Sequence, residues 1–190
     1  TVLAQDLTTS WQKIHRDQRV EQEIDVQAMR ALLMATRRVY HQQFIASELP
    51  VNEKTIGFLP AHSMARISQD YANWTNNGYR FNNVSDRPRN PANQADRFEL
   101  AAMAFFRGNR EMPERMEAIQ DDAGQRWFHY TAPIWIEPYC LMCHGKKENA
   151  PESIRNQYAE SYDYAVGDLR GVMSIKLPLE RYESNFWDRW

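Results

Sequence analysis

Cysteine occurs only twice in this chain of 190 residues, and both copies fall inside one stretch, Cys140-Leu141-Met142-Cys143-His144-Gly145. Two cysteines three apart, with a histidine directly behind the second, have the spacing that attaches a c-type haem: each thiol closes a thioether onto one haem vinyl group. On a helical turn positions i, i+3 and i+4 share a face, so Cys140, Cys143 and His144 can meet the same edge of a porphyrin. His144 is then the natural axial ligand to iron. A structural zinc site needs four ligands, and this cluster offers three with no second cysteine pair to complete a tetrahedron. A thioredoxin-like dithiol is the other reading of two cysteines at this spacing. Such a pair normally opens a helix after a strand, whereas Gly145-Lys146-Lys147 follows here at once. The motif favours one covalent haem c.

The rest of the chain sets the frame for that motif. Its length suits one domain, or one domain with a helical extension, and is enough to bury a real core. A hydrophobic share of 43% with 25% charged residues is that of an ordered globular protein rather than a disordered one. Net charge is −2, and no basic stripe is interleaved with aromatics, which argues against nucleic acid as a partner. No run reaches the apolar length that spans a bilayer. The sequence begins with Thr1 and shows no leader, so a signal peptide has been removed or the chain is a piece of a longer protein. Covalent haem attachment takes place outside the bacterial cytoplasm, so a periplasmic location is expected.

Three segments are expected: a long N-terminal helix over 1–48, a haem domain over 49–178 and a C-terminal helix over 179–190. Residues 7–47 contain neither Gly nor Pro, and Ser10 can cap the helix. Ile14, Ile24, Met29, Leu32, Leu33, Val39, Tyr40 and Phe44 recur at mostly helical spacing. The half up to residue 22 is polar and is expected to project from the globule or to pack on a second copy, making a homodimer. The half from 26 to 45 is expected to cover a sheet. His15 lies among charged residues and reads as solvated, and His41 as a core or surface histidine.

Pro60 suits the first turn of a second helix over 61–74. His62 and Met64 lie near its start, and each is either a second axial ligand or ordinary packing. Asn76-Asn77-Gly78 is a turn signal, followed by a short strand over 79–84. The segment Ser85-Asp86-Arg87-Pro88-Arg89-Asn90-Pro91-Ala92-Asn93 holds two prolines and cannot form a regular element. Arg87, Arg89, Asn90 and Asn93 on this loop suit a clamp for the two haem propionates, since Arg pairs bidentately with carboxylate; a solvated polar loop is the competing reading. A helix is expected over 94–107 with Gly108 as its stop, and 110–117 is ambiguous. A turn at 121–124 and a strand over 125–136 lead into the motif, with His129 alternating among aromatics as a core, hydrogen-bonding or exposed residue. Beyond the motif come a short helix near 150–158 and a final strand over 169–177, with Gly171 weakening or bending it. The tail is helical in pattern and ends in Phe186-Trp187-Asp188-Arg189-Trp190, either an aromatic belt beside a membrane span or a patch packed on the long helix.

These residues together carry a family resemblance. Pro60-Ala61 opening a helix, Ser85 followed by Pro88-Arg89-Asn90-Pro91 and Asn93, then Glu99, Tyr130-Thr131-Ala132-Pro133-Ile134 and Tyr139-Cys140 with the rest of the motif resemble the Tll0287-like domain over about residues 55–177. Asp168-Leu169-Arg170-Gly171-Val172-Met173-Ser174-Ile175 resembles its closing strand. The resemblance implies an α+β fold: a PAS-like antiparallel sheet with helices on one side and one covalent haem c, with Tyr130 among the cofactor-binding positions. It also implies two contexts. Members occur as small periplasmic cytochromes, or as extracytoplasmic sensor domains set between two membrane helices of signalling receptors. Some stand-alone members place a cysteine shortly before the Pro-Ala helix, where it ligates iron. Thr55-Ile56-Gly57-Phe58-Leu59 has none, which leaves His62, Met64 or an open sixth position.

The expected function is that of a sensor ectodomain whose iron responds to redox state or to NO, CO or O2. It would join the membrane through helices outside this chain, with a redox partner as the alternative to a gas. The competing expectation is a soluble periplasmic electron carrier. An enzyme is not expected, because no catalytic constellation accompanies the haem motif.

Overall fold

The computed structural model of the chain describes residues 2–184. It begins with α1 (Val2–Tyr40), 39 residues free of Gly and Pro, which passes into a π-helical turn at His41–Ile45. Four antiparallel strands follow further along the chain: β1 (Arg80–Val84), β2 (Arg115–Gln120), β3 (Arg126–Trp135) and β4 (Leu169–Pro178). Their order in the sheet is β1-β4-β3-β2, so the first strand pairs with the last. This is the PAS-like α+β arrangement expected. The polar segment Arg115–Gln120, ambiguous in the sequence, forms the edge strand beyond β3.

Strand alternation decides what each sheet face buries. Phe81, Ile175, Tyr130 and Met116 lie side by side across β1, β4, β3 and β2. With Phe128, Met173 and Leu177 they make one apolar face. Val26 and Leu33 of α1, Met64 of α2 (Pro60–Tyr71) and Tyr182 of α6 (Leu179–Ser184) pack onto it. Each fully buried side chain of this size contributes about 1.5–3 kcal/mol. The opposite face is covered as well, which corrects the expectation of helices on one side only. Ala102, Met103 and Phe106 of α3 (Arg97–Gly108) pack there against Val172, Leu169 and Val84.

The start of α3 falls three residues later than the composition suggests, because a capping box fixes it. The Asp96 carboxylate accepts from the Phe98 and Glu99 amides at 2.9 Å each, and Glu99 accepts from the Asp96 amide at 2.9 Å. Such a cap is worth about 1 kcal/mol. The buried Glu99 also receives Lys176 of β4 at 2.9 Å, tying α3 to the sheet.

Gly171 lies beside a bulge in β4, in keeping with the bend expected there. A Cβ there would run into the Val84 carbonyl oxygen, so glycine is what lets β1 and β4 close on each other at that point. One residue earlier, the β3–β4 register slips: Ile134 pairs with Gly171 but Trp135 with Leu169, leaving Arg170 as the extra residue of a bulge.

Towards the end of its polar half, at Gln18 and Gln22, α1 is joined to the domain. Gln18 donates to the Tyr182 carbonyl at 3.0 Å, Gln22 is buried, and Asp25 accepts from the hydroxyls of Tyr79 and Tyr182. α1 and α6 therefore lie together. The far side of α1 leaves Val20, Ile24, Leu32 and Val39 about half exposed or more (48%, 61%, 66% and 56%). No described helix is long and apolar enough to cross a membrane. The aromatic tail at 186–190 lies outside the described residues.

Candidate functional site

Where β1 and β3 end and β4 begins, the sheet opens onto a cavity of about 510 Å³. That is within the range of cofactor pockets. The segment Cys140–His144 forms one wall. Pro138–Cys140 makes a 3₁₀ turn that runs directly into α4 (Leu141–His144), with α5 (Glu152–Gln157) following, and Cys140, Cys143 and His144 all line the cavity. Gly145 ends this turn because a Cβ there would sit 2.7 Å from the Leu141 carbonyl oxygen. Among the described residues no three His, Cys, Asp or Glu side chains converge on a point as they would around a bare metal ion. The motif is spread along a wall.

Burial governs the protonation of the groups in the motif. Both thiols are free. Burial pushes the Cys143 thiol up, and the nearby Arg89 charge only partly offsets it. His144 is held differently. Burial first, then the charges of Arg89 and Arg170, lower its pKa to about 3, so the ring is neutral. Its Nδ1 lies 2.9 Å from the backbone carbonyl oxygen of Ser161, which can only accept. The proton is therefore on Nδ1, and Nε2 carries the lone pair. This is how a metal-ligating histidine is oriented, through a carbonyl on its other nitrogen.

The cavity is cationic. Arg37, Arg66, Arg89 and Arg170 line it, and no Asp or Glu does among the described residues. Arg89 is committed to the protein: it donates to the carbonyls of Cys143, Ser161 (3.2 Å) and Glu160 (3.3 Å), and its guanidinium lies 4.8 Å from the Tyr162 ring. It therefore buttresses the motif from behind. Arg37 donates to the Tyr139 hydroxyl at 3.4 Å.

The other expected residues divide between the cavity and elsewhere. Asn90 and Asn93 line it, though both side-chain oxygens are used locally: Asn90 caps the turn at the Ala92 amide (3.0 Å) and Asn93 accepts from Asn82 (3.0 Å). His62 also lines it, with Nε2 3.0 Å from the Tyr158 hydroxyl; burial, then Arg66 and Arg89, lower its pKa. Arg87 is not in the cavity. It lies over Tyr164 at 4.5 Å and lines a smaller neighbouring cleft of about 250 Å³. Tyr130 is fully buried in the sheet core with its hydroxyl on Glu114 at 3.0 Å. Met64 is buried in the same core and does not reach the cavity. Arg87 and Tyr130 thus lie away from the cavity, against the roles expected for them, and Met64 takes the packing alternative. His129 is a core histidine bonded to Ser174 at 3.0 Å.

The sequence did not signal Arg37, Tyr158 or the Ser161 carbonyl, which are brought to the site by distant segments. Arg170 carried a signal in Asp168-Leu169-Arg170-Gly171, but only as part of a strand.

Fold and site define an α+β PAS-like domain with Cys140, Cys143 and His144 on the wall of a cationic cavity. The family model for Tll0287-like proteins matches residues 9–178, and the chain belongs to that family. Among solved structures, that of the cyanobacterial heme-protein Tll0287 is similar, with a TM-score of 0.64 and 22% identity, over 81% of this chain and 94% of that one. At that identity the likeness shows the shared fold. No curated protein matches the chain significantly.

Proposed function

We propose that the chain carries one haem c, joined by thioethers to Cys140 and Cys143 and ligated by His144, and acts as the periplasmic sensor domain of a bacterial membrane receptor. The observation behind the haem assignment is the wall formed by those three side chains, with the Ser161 carbonyl leaving His144 Nε2 as the bare nitrogen. Four arginines facing the cavity without an acidic neighbour suit a cofactor that bears carboxylates. The solved heme-protein of the same fold supports the same cofactor. Bound there, the haem supplies an iron that changes redox state or exchanges an axial ligand such as NO, CO or O2. His62 is the other histidine at the cavity, and it would have to release Tyr158 to serve as sixth ligand.

The sensor assignment rests on how the motif touches the long helix. Tyr139, next to Cys140, packs at a tilt against His41 with ring centroids 4.3 Å apart and accepts the hydrogen bond from Arg37 of α1. A change at the motif therefore acts on α1 directly, and α6 lies beside α1 through Gln18, Asp25 and Tyr182. Two adjacent helices are what a domain needs to bias membrane segments outside this chain between two arrangements. The exposed apolar side of α1 supports a second copy of the chain as partner. The role is signalling rather than catalysis.

A soluble periplasmic electron carrier is the second reading, favoured by the match to 94% of the heme-protein's solved chain. Visible spectra of the oxidised and reduced protein with and without CO separate the two. A spectrum that shifts with CO supports gas sensing. A low-spin spectrum indifferent to CO supports a firm sixth ligand, and with it redox sensing or electron transfer.

A further inference from the structure

We infer that Arg170 is the carboxylate anchor of the cavity, and that the group it holds is a propionate of the porphyrin; this rests on the haem reading above. Arg170 is the bulged residue of β4, the one position in that strand without a partner across β3. Bulges of this kind re-aim a side chain, often beside a binding site. Here the side chain lines the cavity next to the haem motif.

Its Nε is buried and has no hydrogen-bond partner. A buried guanidinium donor left unanswered is costly, and native proteins rarely keep one without a ligand to receive it. Three of the other charges nearby are already answered. Arg89 is spent on three carbonyls, Arg37 on Tyr139, and Asp86 pairs with Arg107 at 2.5 Å. The Tyr164 ring lies 5.5 Å from the Arg170 guanidinium. The missing partner is an acceptor with negative charge and paired oxygens, which is a carboxylate. The sequence assigned this task to Arg87 and Arg89; Arg87 faces another cleft and Arg89 braces the motif.

A free small carboxylate offers the same chemistry, so the test compares sources. The haem-free full-length chain is titrated with ferric haem and with its dimethyl ester, which has the same ring but no acid groups. Sodium propionate is added separately as the free carboxylate, with thermal stability as the readout. Haem is expected to bind about 10- to 100-fold more tightly than its ester, the value of one charge-assisted hydrogen bond pair. Arg170→Gln is expected to lose that preference, Arg170→Lys to keep part of it, and Arg87→Gln to keep all of it. The comparison on the unaltered chain needs no variant, so it decides even if Arg170→Gln folds poorly. Equal binding of haem and ester, or a preference that survives Arg170→Gln, would overturn the anchor while leaving the cofactor reading intact. Stabilisation by propionate alone, with haem and ester bound alike, would overturn the porphyrin assignment. Uptake of neither ring would overturn both.

Discussion

The Nδ1–H of His144 donates to the carbonyl of Ser161 at 2.9 Å, and the residue supplying that carbonyl is itself in a left-handed conformation, φ 71°. Ser161 is buried, and its carbonyl also receives Arg89 at 3.2 Å. One peptide unit thus fixes both the ring and the arginine behind the motif. A β-branched residue tolerates this backbone poorly, at a cost of about 1–3 kcal/mol. Ser161→Val is therefore expected to lower the denaturation midpoint and alter the haem absorption bands. An unchanged melt with unchanged bands would show that the carbonyl does not position His144.

The buried His129 makes the haem-free chain acid-sensitive. Burial, then the Lys176 charge, lower its pKa from 6.5 to about 4, so the folded state prefers the neutral ring. Between those two values the unfolded chain binds the proton and the folded chain does not, so stability rises with pH there. The contribution is complete above pH 6.5 and lost as pH falls towards about 4, on the order of 3 kcal/mol in all. His144 and His62, also lowered, add in the same direction. Urea melts from pH 4 to pH 7 are expected to show this slope, reduced in His129→Gln. Equal slopes in both proteins would remove His129 from the explanation.

Met64 separates core from ligand. Met64→Ala is expected to cost about 2–5 kcal/mol through the cavity it leaves. Met64→Leu, nearly equal in volume, should cost less than about 1.5 kcal/mol and leave the iron spectrum untouched. A spectral change in a stably folded Met64→Leu protein would restore it as a ligand.

Much of this could be read along the chain, where the information is local. The motif is a helical turn, and its spacing alone places Cys140, Cys143 and His144 on one wall. The alternation in β1, β3 and β4 marks the residues of the Phe81–Ile175–Tyr130 row. Even the choice between His62 and Met64 was available: residues two apart on a helix point about 200° from each other, so both could not face one cavity. The capping box of Asp96 and Glu99 was equally plain, yet the helix was begun too early because the 3₁₀ turn at Pro91–Asn93 blurs its approach. Other features were not legible. β2 is a polar edge strand, and charges there blunt the pattern that would announce it. Arg87 and Arg89 diverge to different clefts because a proline-rich loop has no periodicity to reveal direction. Arg170 and Ser161 acquire their roles only from partners 17 or more residues away.

The apolar side of α1 gives a simple assay. Ile24 and Leu32 are 61% and 66% exposed, so Ile24→Glu with Leu32→Glu should change the stability of one protomer by little. Sedimentation is expected to show a dimer for the unaltered chain and a monomer for the double variant. A monomer mass independent of concentration in the unaltered chain would remove the second copy.

Acid-acetone extraction of the protein matured in a bacterial periplasm, followed by the mass of the denatured chain, tests covalent haem attachment most directly. The haem is expected to stay with the polypeptide, adding the mass of one haem, and to become extractable when Cys140 and Cys143 are both changed to alanine. Haem released from the unaltered chain, or none bound at all, would contradict it.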